Sequence, residues 1–191
     1  MSTLDDVIAE TRARIRQLRS GGASINEQNT KAALIDPVLA ALGWQLHNID
    51  EVDREYKRKP QDNPVDYALF LMRTPRLFIE AKALGVELND RKWLSQTLGY
   101  ATVVGVEWCV LTNGDEYRLY NAHAAVDVEQ KLFRSVRISE EGVHDTTRDT
   151  LELLSKDKLG ENLLSLLWKV HFIDRQVDGA ISGLLQEPDP A

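Results

Sequence analysis

The spacing of apolar positions along the chain switches between helical and strand periods, and each switch marks an element. Ala33, Leu34, Val38 and Leu42 recur at helical intervals and end at Gly43. Ser24-Ile25-Asn26-Glu27 before them has the Ser-x-x-Glu spacing of a capping box, and Pro37 falls inside the run, where it is expected to bend the helix. Ile49 to Lys57 predicts a strand and Arg58 to Asn63 a polar loop. The apolar run Val65 to Met72 and its return, Leu77 to Lys82, predict a β-hairpin turned by Arg73-Thr74-Pro75-Arg76. Asn89 or Asp90 is placed to cap a helix running to about Val104, where Gly105 breaks the pattern. Trp108 to Thr112 predicts a strand, Asn113-Gly114-Asp115 a turn, and Glu116 to Tyr120 the returning strand. The predicted order is helix, strand, strand, strand, helix, strand.

Two further stripes flank this block. Leu4, Ile8, Thr11, Ile15 and Leu18 keep a helical rhythm near the start. Leu159, Leu163, Leu166, Val170, Ile173, Val177, Ala180 and Leu184 alternate spacings of four and three, a heptad stripe on one long helix. These helices are expected to pack together on the core, with a dimer or partner interface as the alternative. A chain of 191 residues without repeats or low-complexity blocks is expected to form one domain, 1–191. Cys109, the single cysteine, lies in an apolar run, permits no internal disulfide and is expected to fill the core. The opening residues lack the basic and apolar regions of a signal peptide, and no apolar stretch approaches membrane-spanning length. A soluble, cytoplasmic protein with no membrane partner is the expectation. The net charge of −7 argues against tight, unaided binding of nucleic acid. Local charge can differ from the total: Arg54, Lys57, Arg58, Lys59, Arg73, Arg76, Arg91 and Lys92 lie near the hairpin in sequence, as a basic rim around the site or as ordinary solubilising surface.

The hairpin carries the candidate chemistry. Side chains alternate along a strand, so Glu80 and Lys82 point the same way, and antiparallel pairing brings Asp66 beside them. Two ionised carboxylates held close repel, and a shared proton or a shared cation relieves them. With a lysine in the cluster, a hard cation such as Mg²⁺ held by oxygen ligands is the economical reading. Glu-x-Lys triplets are cheap in a chain with 28% charged residues, and a solvated ion pair is their ordinary role. Glu55-Tyr56-Lys57 and Glu129-Gln130-Lys131 also fit, but neither follows a hairpin whose incoming strand carries an aspartate at the matching level.

Pro64-Val65-Asp66 followed by Glu80-Ala81-Lys82 resembles the PD-(D/E)XK nuclease superfamily, with the proline displaced by one residue. Asn63 to Leu69 with Phe78 to Lys82, and then Gln96-Thr97-Leu98-Gly99-Tyr100 as a Gln-x-x-x-Tyr motif on the next helix, resemble the N-terminal nuclease domain of type I restriction enzyme R subunits. The resemblance covers roughly residues 24 to 121. It implies an α/β fold with a restriction-endonuclease-like core, a central mixed β-sheet flanked by helices, and additional N- and C-terminal helices at 1–20 and about 147–186. It implies a metal-dependent endonuclease acting on DNA, with Asp66, Glu80 and Lys82 as catalytic residues, Asp66 and Glu80 holding Mg²⁺ (Mn²⁺ substituting), and Lys82 orienting water or stabilising phosphate charge. Glu27 corresponds by order to a helix glutamate that completes the metal site, although its place in a capping box also accounts for it. Gln96 and Tyr100 lie four apart on one helix face and are expected at the site or on the nucleic-acid backbone. No Walker-type Gly-x-x-x-x-Gly-Lys occurs, so the motor of complete R subunits is lacking and a stand-alone relative or a separated piece is expected, with DNA and motor or specificity subunits as partners and a homodimer as the alternative use of the helical stripe. A catalytically silent nucleic-acid-binding or scaffold module of a restriction complex is the alternative function.

Overall fold

Six strands form one mixed sheet in the order β1-β2-β3-β4-β5-β6: β1 (Val52–Tyr56), β2 (Val65–Leu71), β3 (Thr74–Ala81), β4 (Trp108–Thr112), β5 (Glu116–Asn121) and β6 (Leu132–Arg137). The computed structural model describes residues 2–22 and 24–186; the side chains of residues 179, 180 and 182–186, among them Ala180 and Leu184 of the C-terminal stripe, lie outside the described set. Neighbouring strands are antiparallel except β3 and β4, which run parallel. A parallel pair needs a crossover, and α4 (Arg91–Val104) supplies it. Asp90 caps its first turn by accepting from the Lys92 N–H, and Gly105, at φ 87°, closes its last turn in the left-handed conformation that the sequence predicts there.

The sheet is covered on both faces. On one side, Leu88, Leu98, Ala101 and Val106 pack on Ala68, Phe78, Cys109, Leu111 and Tyr120. On the other, α1 (Leu4–Ser20), α2 (Glu27–Thr30), the π-helical turn Lys31–Ile35 and α3 (Asp36–Ala41) cover Tyr67, Leu69, Leu77, Ile79 and Val110 with Ile8, Ile15, Leu34, Val38 and Leu39. Covering both faces explains why β4 reads Trp-Cys-Val-Leu-Thr, buried throughout, rather than alternating. Cys109 fills the core there, as expected.

Local chemistry explains where the helices depart from the simplest reading of the pattern. The cap of α2 is Asn26, whose side chain accepts from the Asn29 N–H; the Ser24-x-x-Glu27 capping box does not form. Pro37 has no N–H for the carbonyl of Ala33, four residues back. The helix passes this point through its π turn, with the Asp36 N–H reaching the Lys31 carbonyl, and Arg14 from α1 donates to the freed Ala33 oxygen at 2.6 Å. The hairpin turns at Met72-Arg73, both left-handed at φ 48° and 61°, so Thr74, Pro75 and Arg76 belong to β3 rather than to the turn.

The C-terminal region departs further. It holds α5 (His144–Glu152), α6 (Lys156–Gly160) and α7 (Leu163–Gln186), so Leu159 and the rest of its stripe lie on separate helices. The N-terminal stripe is buried at Ile8, Thr11 and Ile15 and packs on α3 and α5. The C-terminal stripe divides: Leu159 and Leu163 pack on the same core as Ile8 and Ile15, whereas Leu166, Val170, Ile173 and Val177 are exposed, and α7 is held through Leu164 and Trp168. Among the described residues no helix is long and apolar enough to cross a membrane.

Candidate active site

The β2–β3 ladder runs from Leu71↔Thr74 to Tyr67↔Ile79 and stops. One residue further, a side chain replaces the ladder bond: the Ala81 N–H donates to Asp66 Oδ2 at 2.7 Å. This parting of the strands turns the Asp66 carboxylate across the hairpin toward the level of Glu80 and Lys82. The return strand is pinned from both sides, since the Lys82 N–H donates to the Thr112 carbonyl at 2.8 Å and the Leu84 N–H to Thr30 Oγ1 at 3.1 Å. Thr30 sits between Glu27 and Lys31 in sequence, so the second bond registers the helix on the hairpin.

Asp66, Glu80, Lys82 and Glu27 are brought together as the sequence predicts. Lys82 Nζ lies 2.6 Å from Glu80 Oε1 and 3.8 Å from Glu27 Oε2. Glu27 is the first residue of α2, and its carboxylate faces the lysines instead of serving as a cap partner. Burial pushes the Glu80 carboxyl above the ordinary glutamate range; the charges of Asp66 and Glu27 push the same way, against the bond from Lys82.

Three members of the cluster were not anticipated. Lys31 is buried with its Nζ 2.5 Å from Asp66 Oδ1, 3.0 Å from Glu55 Oε1 and 3.7 Å from Glu27 Oε1. Burial alone would lower this ammonium, but its bonds to Asp66 and Glu55 outweigh that and hold it above the ordinary lysine value. Glu55 adopts φ 54°, a backbone that non-glycine residues rarely take, in the strand beside Asp66. Trp93 lies with its ring centre 5.3 Å from Lys82 Nζ, a cation–π contact that fixes the amine over α4. One signal for Lys31 was present in the sequence: Glu27 and Lys31 are spaced i, i+4, as neighbours on one helical face.

Beside Glu80 opens a cavity of about 300 Å³ lined by Arg58, Lys59, Asn63, Gln96 and Tyr100 among others. Gln96 is exposed on its wall. The Tyr100 ring stacks on Phe78, centres 5.6 Å apart, and its hydroxyl accepts from the Arg58 N–H at 2.6 Å, so it fixes the loop that carries Arg58 and Lys59. Among the described residues neither Gln96 nor Tyr100 hydrogen-bonds to Asp66, Glu80 or Lys82. Of the candidate basic rim, Arg58 and Lys59 reach this cavity. Arg54 pairs with Asp36, while Arg73 and Arg76 sit at the other end of the hairpin, beside Asp50 and Asn162.

Four carboxylates, Glu27, Glu55, Asp66 and Glu80, thus surround two ammonium groups, a formal excess of two negative charges. Oxygen donors with that excess suit a hard divalent cation in kind and in charge. In spacing, the ammonium groups lie between the carboxylates, and among the described residues no three His, Cys, Asp or Glu side chains are grouped to hold a metal.

Comparison with known proteins adds a family to this geometry. The family model for the type I restriction enzyme R protein N terminus matches residues 27–134, more than half of the chain. No curated protein matches it. Among solved structures, a fragment assigned to an HsdR subunit of a type I restriction enzyme from Vibrio vulnificus YJ016 is 20% identical over 65% of this chain, with a TM-score of 0.44. A chain of the DrdV–DNA complex, solved by cryo-electron microscopy, is 13% identical over 78% of this chain, with a TM-score of 0.50, a likeness of fold. The chain spans 25% of the first of these chains and 13% of the second.

Proposed function

The chain belongs to the family of type I restriction enzyme R protein N termini, and from that premise we propose that it is a Mg²⁺-dependent endonuclease domain that hydrolyses DNA phosphodiester bonds. The observation that carries this reading is the convergence of Asp66, Glu80, Lys82 and Glu27 beside an open cavity whose wall bears Arg58 and Lys59.

Phosphodiester hydrolysis needs a positioned water, neutralisation of the charge that builds on phosphate, and help for the leaving oxygen. Asp66 and Glu80 would hold Mg²⁺ or Mn²⁺, with Glu27 completing the set; when bound, the ion supplies charge neutralisation and a more acidic water. The chain's own residues do the rest. Lys82, held between Glu80 and Trp93, donates to the attacking water or to a phosphate oxygen. Asp66 and Glu27 place negative charge beside Glu80, and it is this charge that favours an added cation there. Arg58 and Lys59 contact the backbone of the strand being cut, and Tyr100 keeps their loop in place. The net charge of −7 makes unaided DNA affinity weak, and added salt lowers it further, so a motor or specificity subunit is the proposed partner.

One observation favours a second reading. The Lys31 ammonium already neutralises Asp66, as it would in a silent DNA-binding or scaffold module of a restriction complex.

Nicking of supercoiled plasmid with Mg²⁺ or Mn²⁺, with and without the partner subunits, separates the two. The native chain is expected to nick and Lys82→Ala to lose nicking while keeping its metal-dependent gain in thermal stability, which Asp66→Asn abolishes. Cutting that persists undiminished in a Glu80→Ala, Lys82→Ala double variant excludes this site. DNA retention without cutting under every condition selects the silent module.

A further inference from the structure

Helix α7 sits on its domain through one face and leaves the opposite face uncovered. Leu164 and Trp168 are buried, with the Trp168 ring packed edge-on against Trp108 and Phe133 at 6.2 and 5.9 Å. Opposite them, Leu166, Val170, Ile173 and Val177 are 50–60% exposed. Every residue from Ile173 to Asp178 is exposed, so this part of the helix runs clear of the domain. A short solvated helical segment has little stability of its own, and this one keeps an apolar stripe in water.

We propose that this stripe is the seam of a parallel, two-stranded coiled coil with a second copy of the chain. The spacings of four, three and four place Leu166 and Ile173 at heptad positions d and Val170 and Val177 at a. Val170 at a with Leu166 at d is the two-stranded combination, and the single Ile173 at d is the one seam residue that departs from it. Leu164 and Trp168 then fall at b and f, away from the seam, while Leu163 at a and Leu167 at e pack partly on the domain, so the free seam begins at Leu166.

Charge fixes both the partner and its direction. Lys169 falls at g and Asp174 at e, both exposed and neither ion-paired within the chain among the described residues. In a parallel pair, g faces the e position five residues further along the other helix, and Lys169 and Asp174 are five apart. Each Lys169 therefore meets Asp174 of the partner subunit, and the two-fold axis repeats the contact. In an antiparallel pair g faces g and e faces e, and Lys169 finds no acidic partner on this stretch.

The test is the mass of the intact chain by sedimentation equilibrium, with its thermal unfolding measured alongside. The native chain is expected at twice the chain mass. Ile173→Asp is expected at the single mass with the fold of the domain retained, because Ile173 is solvent-exposed in one copy. Lys169→Glu turns two attractive contacts into repulsions and should weaken the dimer about tenfold. Adding Asp174→Lys to that variant should restore it. A native chain that stays monomeric at every concentration overturns the proposal and leaves the stripe to a different protein. A dimer that survives Ile173→Asp, or one indifferent to the charge reversal and its repair, overturns it equally.

Discussion

Replacing Lys31 with methionine tests whether the cluster is held by charge. Methionine keeps the length and most of the volume of the stem, so the principal loss is the ammonium. The lysine side chain is 4% exposed and that of Asp66 8%, which makes this a buried pair. Removing one partner of such a pair costs about 3–5 kcal/mol, because the remaining charge is left without its counter-ion. Here Asp66 keeps its bond from the Ala81 N–H, and Glu55 is open enough to be solvated, so the lower end, about 3 kcal/mol, is expected. The double variant Lys31→Met, Asp66→Asn removes both charges and should be less destabilised than the sum of the single variants by about 2 kcal/mol. Urea unfolding at neutral pH, with the midpoints of all four proteins compared at a common slope, measures both quantities. A loss below about 1 kcal/mol in Lys31→Met, or a double variant equal to the sum, would refute the pairing as a source of stability. The same protein reports on the metal: with no ammonium to displace from Asp66, Mg²⁺ should raise the melting temperature of Lys31→Met by more than that of the native chain.

Two other predictions lie away from the cluster. Gly114 turns β4 into β5 at φ 81°, and a Cβ there would stand 2.8 Å from the Leu34 side chain, so Gly114→Ala should cost about 2–4 kcal/mol in urea unfolding; a cost under 1 kcal/mol would show that Leu34 yields freely. Burial, with Arg175 and Arg134 nearby, depresses the His171 imidazole below 6.5, so its contribution to stability is present above that value and is lost as pH falls through the folded value. Native protein should therefore lose more thermal stability between pH 7 and pH 5 than His171→Phe, whose ring fills the space beside Phe133 and Trp168; equal losses would remove His171 from the acid response.

The hairpin, α4 and the β4–β5 pair were legible for local reasons: the strands are short apolar runs broken by polar residues, Asp90 caps α4, and Gly105 and Gly114 accept left-handed backbone. The Met72-Arg73 turn was not, because two left-handed non-glycine residues carry no sequence flag, and the eye moves to Pro75 instead. β6 was missed for a different reason. Its apolar residues, Leu132, Phe133 and Val136, do not alternate, and Arg134 and Ser135 interrupt them, so only its pairing with β5 makes it a strand. The C-terminal stripe shows the limit of periodicity itself. A heptad states that one face of a helix is apolar and is silent on which neighbour covers it; the burial of Trp168, a side chain outside the stripe, decides where α7 sits.

The candidate site divides along the same line. Asp66, Glu80 and Lys82 follow from alternation on one strand and pairing with the next, relations that a sequence states directly. Lys31, Glu55 and Trp93 reach the cluster from three separate elements, and each has a commoner role that hides it: a solvated lysine, a surface glutamate, a core tryptophan. The i, i+4 spacing of Glu27 and Lys31 acquires meaning only when the hairpin supplies two more carboxylates within reach. A buried lysine then ceases to be an anomaly, because four acids gathered at one strand end repel one another unless cations are placed among them. Lys31 and Lys82 fill that need within the chain and leave two negative charges over. Any cation that enters must displace or rearrange an ammonium already bonded to Asp66, so the metal response of the native chain and that of Lys31→Met must differ if the carboxylates are its ligands.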